Sequence, residues 1–344
     1  MTRLRKGLAI LTFIVIIYGV IAVLPKPSFP TENVFRSEDG LPLIIAHGGG
    51  NHEFPDNTLE AFINAYAADA HVIFETDVVM TQDGIIILSH DRTLDRKTDL
   101  VAGVHAHEID YTTLVEEQVD FGFENPIDGP NGFKISEELV RYTNYLGETV
   151  TPLDVPYPEG MSARHPEKFL VSTLEELITL FPEQRIIVEI KQYGSLGAEA
   201  LETVMALLDR LDDAYNTYER ISLASFHRDI YDHFVRLRNT THPQLMFSPQ
   251  YDGVLSFYIL AMSRLNLFYR EPIGSLQLPM ESSGFNLARP ILIRQAHAHN
   301  LAVHYWTIND KDDMIKLIEI GADGILTDRP HKLAALIEAH REGS

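Results

Sequence analysis

Short β-rich runs alternate with helix-like segments along most of the chain, and no other feature of the sequence restricts its fold as strongly. The runs at 43–47, 185–191, 221–227 and 302–310 are each followed by a segment with helical periodicity. Such alternation predicts parallel strands joined by crossover helices. Roughly eight such units and the chain length together predict an α/β fold, the (β/α)8 TIM barrel. An open doubly wound sheet is the alternative, but its glycine fingerprint is missing after the first run.

The amino terminus differs from the rest of the chain. Residues 7–24 are 18 consecutive residues without a charge, near the lower end of the roughly 17–25 residues that cross a bilayer. Arg3, Arg5 and Lys6 precede this run, so the positive-inside rule keeps the short terminus in the cytoplasm. We therefore expect a transmembrane signal anchor over residues 1–24. A cleaved signal peptide is the alternative, although the run is long for one and lacks a clear cleavage site.

This topology places the bulk of the chain on the extracytoplasmic side of the membrane, which is the periplasm if the source is a Gram-negative bacterium. Residues 25–42 have no periodicity and are predicted to be a linker, and residues 43–344 are predicted to form the barrel. Two segments exceed a minimal barrel. Residues 92–171 predict an inserted subdomain over one mouth. The apolar run 251–272 is either an ordinary barrel helix or a lip that meets an acyl chain or the bilayer.

Charge and cysteine content exclude several classes of function. The chain has 28 Lys and Arg against 49 Asp and Glu, a formal net charge of −21. Nucleic acid is therefore not an expected partner, because its phosphate backbone requires a basic surface. The sequence has no cysteine, which excludes disulfides, thiolate metal sites and a cysteine nucleophile.

Acidic residues collect at the predicted carboxyl ends of the strands, where a TIM barrel has its active site. Glu75 and Asp77 are two residues apart and share one face of the second strand, and Glu189 lies on the third. Three inward carboxylates would repel one another unless a divalent cation neutralised them. Ligands that are all oxygen suit Mg²⁺ or Ca²⁺.

Histidines and one lysine flank these carboxylates. His47 ends the first strand and His90 follows the run after the second, so the two can supply a general acid and a general base. Lys191, two residues after Glu189, adds positive charge for an anion. Together these groups suit metal-assisted cleavage of a phosphodiester. Each feature alone is weak, because a single histidine or E-x-D pair is usually structural, but they fall at successive strand ends.

The motifs that carry these residues resemble those of the glycerophosphodiester phosphodiesterase family. They read IAHGGG, FPDNTLEAF, ETDVVMTQDG, LSHDRTLDR, VEIK, YWTIN and GADGILTDRP, and span about residues 43–335. The resemblance implies a TIM barrel that cuts glycerophosphodiesters into glycerol 3-phosphate and an alcohol. The implied roles are metal binding by Glu75, Asp77 and Glu189, acid–base catalysis by His47 and His90, phosphate contact by Lys191, and substrate contact by Trp306 and Asn57.

Two positions depart from the family pattern. Gly48 stands where the family has an arginine that helps hold phosphate, and Asp56 replaces a glutamate. Lys191, the metal or Arg92 are the candidates to compensate for the missing arginine.

The layout also resembles the membrane-anchored, lysophospholipase-D-type branch, which would make lysophospholipids candidate substrates. Two alternatives stay open at this point: a related phospholipase that stops at a cyclic phosphate, and an inactive membrane-tethered binder of lipid head groups.

Overall fold

A ring of eight parallel strands forms the centre of the computed structural model, which describes residues 3–28, 32–100, 103–128, 132–271 and 273–343. In chain order the strands are β1 (Leu43–His47), β2 (Ile73–Met80), β3 (Ile186–Ile190), β4 (Ile221–Ala224), β5 (Met246–Phe247), β6 (Ser275–Leu278), β7 (Ala302–Tyr305) and β8 (Gly324–Thr327).

The strands follow the order β5-β4-β3-β2-β1-β8-β7-β6, and each neighbouring pair in this order is parallel. The two ends of the order also approach each other. The Gly274 amide donates to the Phe247 carbonyl at 3.3 Å, and the Ser248 and Ser275 hydroxyls are 3.4 Å apart. The sheet is therefore a nearly closed barrel, which confirms the predicted TIM fold over the open sheet.

One helix precedes the barrel, and the others lie around its outside, with at least one after each strand. They are α1 (Arg3–Val23), α2 (Leu59–Ala68), α3 (Tyr111–Glu116), α4 (Leu174–Leu180), α5 (Gly194–Tyr215), α6 (Thr217–Arg220), α7 (Arg228–Thr240), α8 (Tyr251–Met262), α9 (Pro290–His297), α10 (Lys311–Glu319) and α11 (Pro330–Gly343). Single 3-10 turns occupy Ala106–Glu108, Pro152–Asp154 and Asn266–Phe268.

Local sequence signals explain where several helices begin. The Thr58 hydroxyl accepts from the Ala61 amide at the start of α2. Thr173 and Glu176 form a reciprocal capping box at the start of α4, as their spacing predicts. These caps satisfy amide groups that a helix cannot pair internally.

Short antiparallel pairs lie outside the ring. Ile86–Leu88 pairs with β2, Ile127–Asp128 pairs with Phe133–Lys134, and Glu281–Ser282 pairs with Phe285–Asn286. The last pair forms a hairpin between β6 and α9, called here the 281–286 hairpin.

The inserted segment 92–171 packs beside the mouth of the barrel, the end formed by the carboxyl ends of the strands. The Tyr142 hydroxyl donates to the Asn51 carbonyl at 2.5 Å, and the Tyr145 amide donates to the His52 carbonyl at 2.8 Å. Asn51 and His52 belong to the loop that follows β1, so the insertion contacts the barrel through this loop.

Alternate strand residues point into the barrel and form a small apolar core there. Ile45, Ile73, Ile187 and Leu326 belong to this inner cluster. Because side chains alternate along a strand, residues two or four positions further on face the same interior at the mouth. This parity places His47, Glu75, Asp77, Glu189 and Asp328 above the inner core.

The opposite end, called here the floor, is closed by the segment predicted to be a linker. Residues 25–42 contain no helix or strand among those described, yet Phe35 is 1% exposed inside the inner core. The Asn33 side-chain amide donates to the Gly274 and Asn300 carbonyls at 2.7 Å each. His304 Nε2 lies 2.9 Å from the Phe35 carbonyl.

Helix α1 meets the barrel at the floor as well. The Tyr18 hydroxyl donates to the Ser263 carbonyl at 2.8 Å, and His299 Nδ1 lies 2.8 Å from the Pro27 carbonyl. Residues Arg5–Val23 are long and apolar enough to cross a membrane and are not buried against the barrel. By length and composition this helix fits either a membrane anchor or a signal sequence.

Candidate active site

Three carboxylates lie together above the inner core of the barrel. Asp77 pairs in register with Glu189 of the neighbouring strand β3, and Glu75 faces the same interior two residues before Asp77. An oxygen atom from each of the three side chains lies within 4.8 Å of the other two, and Glu75 and Asp77 are buried. The register of β2 and β3 therefore builds the cluster that the E-x-D and E-x-K patterns predict.

The electrostatics of this cluster favour a bound cation. Burial and the charge of Asp77 raise the pKa of Glu75 to about 8, and the same two causes raise the pKa of Glu189. Both shifts express the cost of holding buried negative charges together. A divalent cation with oxygen ligands removes that cost, so the donor set fits Mg²⁺ or Ca²⁺.

Neighbouring groups hold the carboxylates in place. The Gly48 amide donates to Glu75 Oε2 at 3.1 Å. The Asn57 side-chain Nδ2 donates to Asp77 Oδ2 at 3.1 Å, and the Asn57 side-chain Oδ1 accepts from the Asp77 backbone amide at 3.0 Å. Asn57 is buried, is not among the residues that line the cavity, and orients Asp77 through these two hydrogen bonds.

Lys191 supplies positive charge at the edge of the cluster. Its Nζ lies 2.9 Å from Glu189 Oε1 and 3.3 Å from Asp77 Oδ1. Burial opposes the charged form, but these two carboxylates raise the pKa of Lys191 above its ordinary range. Arg92, the other basic candidate, stacks over the Tyr193 ring at 4.6 Å and is not part of the cavity lining.

Each of the two predicted histidines has a carboxylate partner. His47 Nδ1 lies 2.6 Å from Asp328 Oδ1, and His90 Nδ1 lies 2.8 Å from Asp91 Oδ1. Burial works against the charged form of His47, but the hydrogen bond to Asp328 and the charge of Glu75 raise its pKa to about 10. The hydrogen bond to Asp91 raises the pKa of His90. In both rings Nδ1 is the nitrogen that contacts the carboxylate.

The two departures from the family pattern are built into one loop. Gly48 has φ +53, and a Cβ there would lie 2.8 Å from the Asp56 Cβ. An arginine at position 48 would therefore require the loop to shift. The Asp56 carboxylate pairs instead with Lys97 of the insertion, whose Nζ lies 2.5 Å from Oδ1.

A cavity of about 800 Å³ connects these polar groups to an apolar wall. His47, Glu75, Asp77, Glu189 and Lys191 line one side, together with His90. The other side is formed by α8, the 281–286 hairpin and Trp306. Helix α8, which lies in the apolar run, has two kinds of contact: Phe257 and Ala261 are buried in the core, and Tyr251, Val254, Leu255 and Tyr258 line the cavity.

Sequence reasoning did not assign the carboxylates that hold the histidines. Asp328 directly follows the last strand, two residues after Leu326, which points into the barrel. This spacing predicts that Asp328 points inward as well, and it is the signal by which Asp328 could have been identified. Asp91 directly follows His90. Lys97 carries no such signal, because its partner Asp56 lies in another loop.

Comparison with known proteins agrees with this geometry. Residues 47–332 match the glycerophosphoryl diester phosphodiesterase family. The chain is 26% identical over 299 residues to the glycerophosphodiester phosphodiesterase of Caldanaerobacter subterraneus subsp. tengcongensis. The aligned region covers 86% of this chain and 97% of that protein. The chain is 22% identical over 309 residues to lysophospholipase D GDPD3 of Mus musculus, covering 87% and 83%.

A solved structure agrees on the fold. The glycerophosphoryl diester phosphodiesterase domain of a protein from Mycobacterium tuberculosis superposes with a TM-score of 0.58 at 17% identity, covering 87% of this chain and 99% of that one. The family match spans most of the barrel and includes every carboxylate, histidine and lysine described above. This chain therefore belongs to the glycerophosphoryl diester phosphodiesterase family and is an enzyme of that family, a phosphoric diester hydrolase.

Proposed function

We propose that this glycerophosphodiester phosphodiesterase depends on a divalent cation, Ca²⁺ or Mg²⁺, held by Glu75, Asp77 and Glu189. The observation that carries the proposal is the buried carboxylate cluster that shares one cavity with His47 and His90. The cation would supply positive charge to the phosphoryl oxygens. The products are glycerol 3-phosphate and an alcohol.

The side chains around the cluster suit the remaining tasks. His47 and His90 both line the cavity, and one would accept the proton of the attacking oxygen while the other donates a proton to the leaving oxygen. Asp328 and Asp91 hold the two rings in place through Nδ1. The positively charged side chain of Lys191 lines the cavity beside the carboxylates, so it is placed to contact a phosphoryl oxygen.

Two routes fit this arrangement. In the first, a glycerol hydroxyl attacks phosphorus and expels the protonated alcohol, and water then opens the resulting cyclic phosphate to glycerol 3-phosphate. In the second, water attacks phosphorus directly and expels the alcohol. A phospholipase that stops at the cyclic phosphate is the related alternative. Phosphorus NMR of the reaction mixture separates these outcomes, because a cyclic phosphate has its own resonance.

The test is an assay of the full chain with glycerophosphocholine in EDTA, Mg²⁺ or Ca²⁺. We expect turnover only with a cation, and loss of turnover in His47→Ala and Glu189→Gln. His71→Ala and Glu183→Gln are matched controls, because both side chains are exposed away from the cavity. Full activity of His47→Ala, or of the wild type in EDTA, would contradict the proposal. Tight head-group binding without turnover under any cation would favour an inactive binder.

We further propose lysophospholipids as substrates and α1 as a membrane anchor that holds the barrel on the extracytoplasmic side. The apolar half of the cavity and the similarity to a lysophospholipase D support the first. The uncharged helix behind a basic terminus supports the second. Membrane fractionation after an alkaline wash tests the anchor: a barrel released into the soluble fraction would indicate a cleaved signal peptide.

A further inference from the structure

The cavity is divided into a polar half and an apolar half by the order of the barrel strands. The carboxylates, His47 and Lys191 come from β1, β2 and β3, which are neighbours in the ring. The apolar wall comes from the segments that follow β5 and β6, which are α8 and the 281–286 hairpin. Among the described residues that line this second half, none carries a charge.

Two aromatic side chains stand at the boundary between the halves. Phe226 follows β4 and Trp306 follows β7, and both continue the inward parity of Ala224 and Ala302. Their rings meet edge to face, with centroids 6.1 Å apart and planes at 75°. Because β5 and β6 separate β4 from β7 in the ring, this contact spans the mouth along the line that divides the two halves.

The apolar half carries hydrophobic surface that the protein itself does not cover. Phe226 is 69% exposed, Phe285 is 53% exposed and Leu255 is 40% exposed. A second aromatic pair, Tyr258 and Phe285, bridges α8 and the hairpin with ring centroids 5.8 Å apart. Large apolar groups exposed around one opening are typical of a binding site for an apolar ligand.

We propose that the apolar half is the subsite for the single acyl chain of a monoacyl glycerophospholipid, and that Phe226 and Trp306 separate it from the phosphodiester. We assign the acyl chain to this half because it belongs to the same cavity as the carboxylate cluster, so one substrate molecule can occupy both halves. The described residues that line this half offer no charged side chain to an ionic group, which favours an apolar occupant there. The inference rests on the proposed function and specifies its substrate.

The test compares substrates with and without a chain. The full chain, held in nanodiscs of diacyl phosphatidylcholine, is assayed with glycerophosphocholine and with lysophosphatidylcholines of increasing chain length, below their micellar concentrations. We expect kcat/KM to rise with each methylene that enters the subsite, by up to about fourfold per buried methylene. Phe285→Asp should lower kcat/KM for a twelve-carbon lysophosphatidylcholine at least tenfold more than for glycerophosphocholine.

Leu153→Asp is the matched control, because Leu153 is exposed and lies outside the cavity. It should leave the ratio of the two kcat/KM values unchanged. Rates without chain-length dependence, or equal losses on both substrates in Phe285→Asp, would overturn the subsite. The second outcome would instead indicate that the aromatic groups hold the choline ammonium, which both substrates share.

A binding measurement keeps the subsite separate from the catalytic proposal. Trp306 is the only tryptophan in the sequence, so tryptophan emission reports on the boundary of the subsite. In EDTA, twelve-carbon lysophosphatidylcholine should shift the emission to the blue with saturation, and Phe285→Asp should weaken this binding at least tenfold. Saturable binding with no turnover under any cation would refute the proposed activity and leave the subsite standing. An emission that does not respond to the lysolipid would refute the subsite alone.

Discussion

Removing the Lys97 ammonium should destabilise the fold measurably, because it leaves a carboxylate buried without its nearest partner. Lys97 is 4% exposed and its Nζ lies 2.5 Å from Asp56 Oδ1, which joins the insertion to the loop after β1. Breaking a buried ion pair on one side costs about 3–5 kcal/mol. Arg96 remains 3.5 Å from Asp56, so for Lys97→Met we expect the lower end, about 3 kcal/mol. In a chain of 344 residues, an unfolding entropy of about 2 cal/mol/K per residue converts this to about 4 °C in Tm.

The pH dependence of this loss identifies its cause. Burial opposes ionisation of Asp56, but Lys97 and Arg96 hold its pKa well below the ordinary range. A depressed pKa contributes stability above the unfolded value, about 4 for an aspartate, and that stability disappears as the pH falls through the folded pKa. The deficit of Lys97→Met should therefore be complete at neutral pH and shrink in acid.

Thermal unfolding of the wild type, Lys97→Met, Asp56→Asn and the double variant provides the measurement. Lys311→Met is the control, because Lys311 is exposed. The double variant should lose less stability than the two single variants lose together, since it leaves no unpaired charge. A deficit below about 1 kcal/mol, or one that stays constant from neutral to acid pH, would refute the reasoning.

Three further predictions concern the site and the floor. Asp328→Asn keeps the shape of the partner of His47 and removes its charge. The pKa of His47, about 10 in the wild type, should then fall, because burial lowers this pKa and the charge of Asp328 no longer raises it. Proton NMR of the ring measures the titration, and an unchanged pKa would contradict the prediction. Glu189→Gln should weaken cation binding in calorimetry. In the wild type that binding should weaken as the pH falls below about 8, the pKa of Glu75, because protons compete for the carboxylates; a flat affinity across this pH would count against the cluster as the cation site. Phe35→Ala should cost about 3–5 kcal/mol in a denaturant titration, because it empties the buried floor of the barrel, and a loss below about 1 kcal/mol would show that the floor is held by other contacts.

Local patterns in the sequence are sufficient for the barrel and for most of its site. The capping box at Thr173 and the inward parity of Glu75, Asp77 and Glu189 depend only on neighbours along the chain. The partners Asp328 and Lys97 depend on which loops meet in space, and no periodicity records that. Phe35 is one of four large apolar residues scattered through a segment rich in proline and charge, and no periodicity distinguishes it from the others, so its burial could not be predicted from a pattern.

If α1 stays in the bilayer as proposed, the point at which it joins the barrel has a consequence for the lipids that can reach the cavity. Tyr18, Pro27 and Asn33 all contact the floor, so an anchor kept in the bilayer would leave from the end opposite the mouth. The opening would then face the aqueous phase, a barrel's height from the lipid surface. A lipid with one chain exchanges readily with water, whereas one with two chains stays in the membrane. Only lipids that leave the membrane would reach the opening, so the ease of leaving would favour monoacyl substrates before any side chain of the enzyme contacts them.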